Sequence, residues 1–351
     1  MSELDALKGD GTKASSGSFS KVVGSLEAGT TYYYKAYIRE WDAATDSWQY
    51  RNASNVISFT TAAADTEVPG GWLELPAYSL AGMSGTTTSS LSDLYPLAHT
   101  VTVDGRKQRN YSCLYDPEMY ASYWVAYPLC YAHVHGSGRS DQWAYDPDVP
   151  STRQTNLTNG AYGVSVTTPN YASNYYSRGH QIASADRNGI DDMCDQTFYM
   201  TNLTPQIQNG FNGGIWKNLE EAIRALVSSD TSSKDTVYVI TGASFRKKTD
   251  GTEEITRITN SRDNKQIPVP NYYWKALLKV TRNGSTITGA STIGFWYPHQ
   301  DLKDESFSDE KYLVSVNTLE EWTGFDLFAN LPAHLASTAQ SNTSWTAFRN
   351  F

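Results

Sequence analysis

Residues 175–187 read Tyr-Tyr-Ser-Arg-Gly-His-Gln-Ile-Ala-Ser-Ala-Asp-Arg. This stretch decides how the rest of the chain is read. It places a histidine, one of only six in 351 residues, directly after Arg-Gly at the end of an aromatic, strand-like run. Gly179 has no Cβ and predicts a sharp turn, and Arg178 offers a planar guanidinium suited to phosphate. Taken alone, Arg-Gly-His is a surface turn. The residues downstream give it weight.

In the stretch from Thr197 to Leu226, Ile215, Leu219, Ala222, Ile223 and Leu226 recur at spacings of three and four, which predicts a helix. Asn212 lies just before that helix, and Glu220 and Arg224 lie one turn apart on it. Each has a plain structural reading: an asparagine near a helix start, and an i,i+4 ion pair. Together, Ser177-Arg178-Gly179-His180 followed by Asn212, Trp216, Glu220 and Arg224 resembles the DNA/RNA non-specific endonucleases. These are the ββα-metal, or His-Me finger, nucleases that include the Serratia-type enzymes. Their pattern is Asp-Arg-Gly-His, then Asn, Trp, Glu and Arg at intervals of four. Further blocks look like the family's in the same order: Tyr-Trp-Val-Ala-Tyr-Pro-Leu from Tyr123, Gln-Trp-Ala-Tyr-Asp-Pro from Gln142, Thr-Asn-Leu-Thr-Pro-Gln from Thr201 and Thr-Gly-Ala-Ser-Phe from Thr241. The resemblance runs from about Tyr95 to the C-terminus.

The resemblance implies an α+β fold: a ββα-metal nuclease domain with a central antiparallel sheet flanked by helices. It implies Mg²⁺-dependent hydrolysis of DNA and RNA, with Mn²⁺ a possible substitute and 5′-phosphate products. His180 would be the general base toward water and Asn212 the direct ligand of the metal. Glu220 would hold the metal's waters, and Arg178 and Arg224 would bind the phosphate. Should Asn212 not be the ligand, Asp186 and Asp191 are the next candidates. Two positions depart from the family. Ser177 stands where it has Asp, and Tyr120 where it has a phosphate-binding Arg. Arg109 or the Arg246-Lys247-Lys248 cluster are candidates to compensate, and Ser177, Asn202 and Arg109 to support the metal's waters or touch substrate.

Strand-like runs dominate the rest of the large region, at His99–Gly105, Arg109–Tyr115, Tyr123–Val134, Thr236–Phe245, Asn271–Val280 and Ser291–Pro298. A second helix is expected near Thr318–Phe328, with Asn317 and Thr318 as caps. Strands around a long helix suggest an antiparallel α+β domain. The His133-x-His135 pair, read on a strand, would turn both rings to one side, but the plainer reading is a solvated hairpin end. Cys113 and Cys130 either face each other across a hairpin or are buried free thiols, and Cys194 has no candidate partner.

The N-terminal region differs in kind. Tyr32, Tyr34, Ala36 and Ile38 alternate along a strand, and Leu26 to Ile38 resembles the penultimate strand of fibronectin type III modules. We expect a partial, sandwich-like β module over 1–62, a linker over 63–71 and the nuclease domain over 72–351. Of 28 Lys+Arg and 37 Asp+Glu, residues 1–62 hold six and seven, leaving 22 and 30. Any phosphate site must therefore be a local basic patch on an acidic body. No apolar run reaches membrane-spanning length. The start lacks the apolar core of a signal peptide, so it is either a cytosolic start or a cut edge. Secreted, periplasmic or cell-surface placement is the expectation. Beside the nuclease reading stand two others: a catalytically impaired nucleic-acid-binding or adhesion protein, and a carbohydrate binder using the 24 Tyr and 10 Trp.

Overall fold

The computed structural model describes residues 31–35, 37–52, 55–60, 71–79, 90–136, 138–227, 236–245 and 254–351. The chain divides into two compact units, Met1–Gly71 and Trp72–Phe351. In the first, Thr31–Tyr34 pairs antiparallel with Ile57–Thr60, and Tyr37–Asp42 pairs with Ser47–Asn52. Ala36, the Leu26–Thr30 part of that stretch and the basic cluster 246–248 lie outside the described residues.

The second unit is a mixed α/β fold around an antiparallel sheet. Along the chain run β1 (Tyr95–Val103), β2 (Arg106–Asp116), β3 (Ala121–Leu129), β4 (Tyr171–His180), β5 (Leu203–Ile207), β6 (Val237–Ser244), β7 (Tyr272–Asn283), β8 (Thr286–Pro298) and β9 (Leu313–Val314). Seven of them form one sheet in the order β9-β8-β7-β6-β3-β2-β1. β3 and β6 are buried at every position, so the sheet centre is covered on both faces. That explains why those runs read as nearly continuous apolar and aromatic sequence rather than as alternation.

The helices are α1 (Tyr131–Val134), α2 (Asp191–Gln196), α3 (Lys217–Ala225), α4 (Val316–Thr323), α5 (Ala333–Ala339) and α6 (Trp345–Arg349). α3 buries Leu219 and Ile223, four apart, into the main core beside Ile215 and Trp216. α4 is capped by Ser315, whose Oγ accepts from Thr318 N at 3.0 Å, so the cap lies two residues before the expected Asn317. It ends at Gly324, with φ 77°, the left-handed position that favours glycine.

Two strand expectations are corrected. The run from Tyr123 leaves the sheet after Leu129, the last residue facing a partner (Val237), and Tyr131–Val134 closes a helical turn. His133 and His135 are therefore not a solvated hairpin end. His133 is pushed down to about 3 by burial and by Arg187, and His135 stacks on Tyr131 at 3.8 Å. Cys113 lies opposite Val125, not Cys130, and all three cysteines are free thiols.

Candidate active site

A second, smaller sheet carries Arg178 and His180. β4 pairs antiparallel with β5, setting Arg178 opposite Pro205 and His180 opposite Leu203. Arg178 and His180 are two residues apart and share a face. Gly179 lies inside this strand, not at a turn as expected. A Cβ there would come 2.3 Å from the Gln206 side chain, so its role is close packing. After β5 the chain makes wide, irregular turns over Gln208–Trp216 and then enters α3. Gly210, with φ 84°, permits that path.

Ser177, Arg178, His180, Asn212, Glu220 and Arg224 line one cleft of about 490 Å³. His180 sits between Trp143, at 5.3 Å, and the edge of Phe198, at 5.1 Å. Burial, then the guanidinium groups of Arg139 and Arg178, push its pKa down to about 3, against a hydrogen bond to the Arg178 backbone. The ring is thus neutral near pH 7. Its Nε2 is closed to solvent and has no hydrogen-bond partner. With the other nitrogen donating to a carbonyl, Nε2 keeps its lone pair.

Asn212 is oriented by its neighbours. Its Nδ2 donates to Ser177 Oγ at 2.9 Å and Gln208 Oε1 at 3.2 Å, while Ser177 Oγ donates to Gln206 O at 3.0 Å. Both amide hydrogens are used, and Oδ1 is left with no protein hydrogen bond. Ser177, a departure from the pattern read in the sequence, thus fixes the asparagine together with Gln208.

Glu220 is raised to about 7, first by burial, against the charge of Lys275 and with Asp186 adding to the rise. Lys275 is fully buried in β7, donates to Thr241 Oγ1 at 3.0 Å and to Gln181 O at 3.3 Å, and lies 4.3 Å over the Trp216 ring. Arg224 pairs with Asp186 at 2.9 Å rather than with Glu220 one turn back. Asp186 also accepts from Tyr127 Oη at 2.7 Å, so both its oxygens are engaged. Asp191 is exposed at the start of α2, outside the cleft lining.

Other candidates sit elsewhere. Arg109 pairs with Glu74 at 3.1 Å and covers the Trp72 ring at 4.7 Å, away from the cleft. Asn202 is fully buried: its Nδ2 donates to Ile182 O and Thr197 O, and its Oδ1 accepts from Ile182 N. It clamps the chain just past His180. Tyr120, at φ 48°, packs under Lys265 and is not part of the lining. Trp143 and Arg139 are among the cleft residues that escape the sequence reading. Trp143 carries Arg178 at 3.4 Å from its ring centre, and Arg139 lies over Trp143 and Phe198 at 5.5 and 4.9 Å. The only sequence signals were the Gln-Trp-Ala-Tyr-Asp-Pro block and one arginine in a Gly- and Ser-rich turn.

A family model for DNA/RNA non-specific endonuclease matches residues 95–334. Mitochondrial nuclease 1 of Schizosaccharomyces pombe is 24% identical over 235 residues, 65% of this chain and 67% of its own. A nuclease of Nostoc sp. is 26% identical over 238 residues, 67% and 76% of the two chains. Human mitochondrial endonuclease G is 25% identical over 234 residues, 66% and 72%. Among solved structures, one chain of the EndoG/EndoGI complex superposes with a TM-score of 0.51 at 21% identity, covering 71% of this chain and 96% of its own, which speaks to fold alone.

Proposed function

Since the chain belongs to the DNA/RNA non-specific endonuclease family, and so to the nuclease hydrolases, we propose that its cleft cuts phosphodiester bonds of both DNA and RNA with His180 as base and Asn212 as the protein's ligand to one Mg²⁺. One observation carries this reading. His180 Nε2 and Asn212 Oδ1, a lone-pair base and a hard oxygen donor, are both left without protein partners in a single arginine-lined cleft.

The donors suit a hard cation: an oriented amide oxygen beside an acidic side chain, with room for waters. The same oxygens suit Mn²⁺. When bound, the ion supplies positive charge against the developing phosphoryl oxyanion. The chain's own groups do the rest. Neutral His180 takes a proton from water as its oxygen adds to phosphorus. The bond to the 3′ oxygen breaks, that oxygen takes a proton from water, and the phosphate stays on the 5′ side. Ionised Glu220 would orient the waters, and Arg178 and Arg224 would hold the phosphate, with Arg139 a third guanidinium at the rim. None of these groups has an evident base-reading or 2′-hydroxyl-reading task, which supports broad sugar and sequence tolerance. We read β4, β5 and α3 as the family's ββα element, and residues 1–62 as a partial fibronectin-like module. No described helix is long and apolar enough to cross a membrane, and secretion stays part of this proposal.

Matched DNA and RNA, single- and double-stranded, incubated with Mg²⁺ or with chelator, test the reading. Cleavage of all four that stops on chelation is expected. A preference for one sugar above about 10³-fold, ~4 kcal/mol in the barrier, or cleavage that survives chelation overturns it.

A further inference from the structure

The segment that brings Trp143 to the cleft continues to a second cluster, built from one histidine and two aspartates. His99 lies in β1 beside a bulge between His99 and Thr100, a feature that re-aims side chains. Its ring is held between Tyr111, at 4.5 Å, and Tyr199, at 5.5 Å. His99 Nε2 is 3.1 Å from Asp146 Oδ2, with side chains 3% and 0% exposed. Asp148 Oδ2 is 4.0 Å from the other ring nitrogen, on a side chain 62% exposed. One donor atom from each residue lies within 4.8 Å of the others. None of the three lines the cleft.

The buried His99 Nε2 faces the Asp146 carboxylate at ion-pair distance without the alignment of a good hydrogen bond. A nitrogen and an oxygen that close, and not aligned as donor and acceptor, are placed as two ligands of one ion would be. Ligands about 2.0–2.2 Å from a shared ion, at angles between tetrahedral and square, stand about 2.9–3.5 Å apart. Asp146 cannot turn away. Its Oδ2 accepts from Thr201 Oγ1 at 2.5 Å and its Oδ1 from Asp148 N at 3.0 Å. That second bond folds the chain so that Asp148, exposed and able to change rotamer, stands beside the pair. Two carboxylates balance a divalent charge, and an imidazole ligand favours a transition-type ion over Mg²⁺ or Ca²⁺.

We propose that His99, Asp146 and Asp148 form a binding site for a divalent transition-type ion, separate from the hydrolytic cleft. The ion would tie β1 to the segment that runs back to Trp143 and stiffen the wall behind Arg178 and His180. Zn²⁺ alone is the probe, titrated calorimetrically into the metal-free full chain, with thermal melting alongside. Because Asp148 is exposed, Asp148→Asn should fold normally. Asn212→Ala should keep tight Zn²⁺ uptake and the Zn²⁺-dependent rise in Tm. Adding Asp148→Asn to it should weaken uptake by about 10-fold or more and abolish the rise. Mg²⁺ at equal concentration should give neither. Loss of tight Zn²⁺ uptake in Asn212→Ala, or uptake unchanged by Asp148→Asn, overturns the site and leaves His99 as an ordinary ion-pair partner of Asp146.

Discussion

Two polar regions lie within a few residues of each other in sequence and are built on opposite principles. Around Arg187, which is fully buried, each of the three guanidinium nitrogens is engaged: Nε to Asn110 Oδ1 at 2.6 Å, Nη1 to Asp186 O at 2.7 Å, and Nη2 to Asn110 O and Pro128 O at 2.8 and 2.9 Å. In the cleft, His180 Nε2 and Asn212 Oδ1 are positioned by neighbours yet left unpaired. His180 Nε2 is buried without a partner, a state that costs free energy until another molecule completes it, while Asn212 Oδ1 stands in the cleft on a half-buried residue. Here the bonded network around Arg187 is tied to stability, and the unpaired nitrogen and oxygen in the cleft to the proposed chemistry.

That contrast breaks most visibly at Arg187. Arg187→Met strands three backbone carbonyls and the Asn110 amide oxygen, each worth about 1–3 kcal/mol when left unpaired, and should cost about 3–5 kcal/mol of stability. Denaturant unfolding measures it, and a loss below about 1 kcal/mol would show the network to be incidental. Next in size, Asn212→Ala should raise the Mg²⁺ concentration needed for half-maximal activity by roughly 10–100-fold with little change in Tm. An unchanged requirement would place the ligand elsewhere. Ser177→Ala removes the hydrogen bonds from Asn212 Nδ2 and to Gln206 O, leaving Gln208 as the remaining partner of Asn212. At about 0.5–1.5 kcal/mol, it should lower activity by roughly 2- to 10-fold and be rescued by added Mg²⁺.

The smallest effect concerns pH. Burial raises Glu220 to about 7, and the charge of Lys275 is the largest influence pulling it down. In the proposed mechanism Glu220 acts ionised, so activity should be present above its pKa and fall as pH drops through it. Lys275→Met removes that cation, raises the Glu220 pKa further and should move the acid limb of the rate profile to higher pH. A limb that stays in place would show that another group sets it. His180, already near 3, stays neutral through this range.

Much of this was legible in the sequence because the signals were local or regularly spaced. β3 and β6 appear as apolar runs, and α3 as positions three and four apart. Ser177 to His180 and Asn212 to Arg224 appear at fixed intervals, and they line one cleft. What escaped was set by tertiary contact. Arg224 passes over Glu220 to reach Asp186, 38 positions away. Arg109 is drawn off by Glu74. The aromatic run from Tyr131 coils because its sheet partner ends at Val237, a fact stored more than a hundred residues downstream. Gly179 was read as a turn because the side chain that needs its space, Gln206, sits on another strand.

The most direct measurement is plasmid cleavage by His180→Ala at saturating Mg²⁺, with thermal melting of the same preparation. Loss of the base should lower the rate by about 10²–10⁴-fold, with Tm and Mg²⁺ binding close to wild type. A properly folded His180→Ala protein that cleaves at near-normal rate would contradict the assignment of His180 as the base.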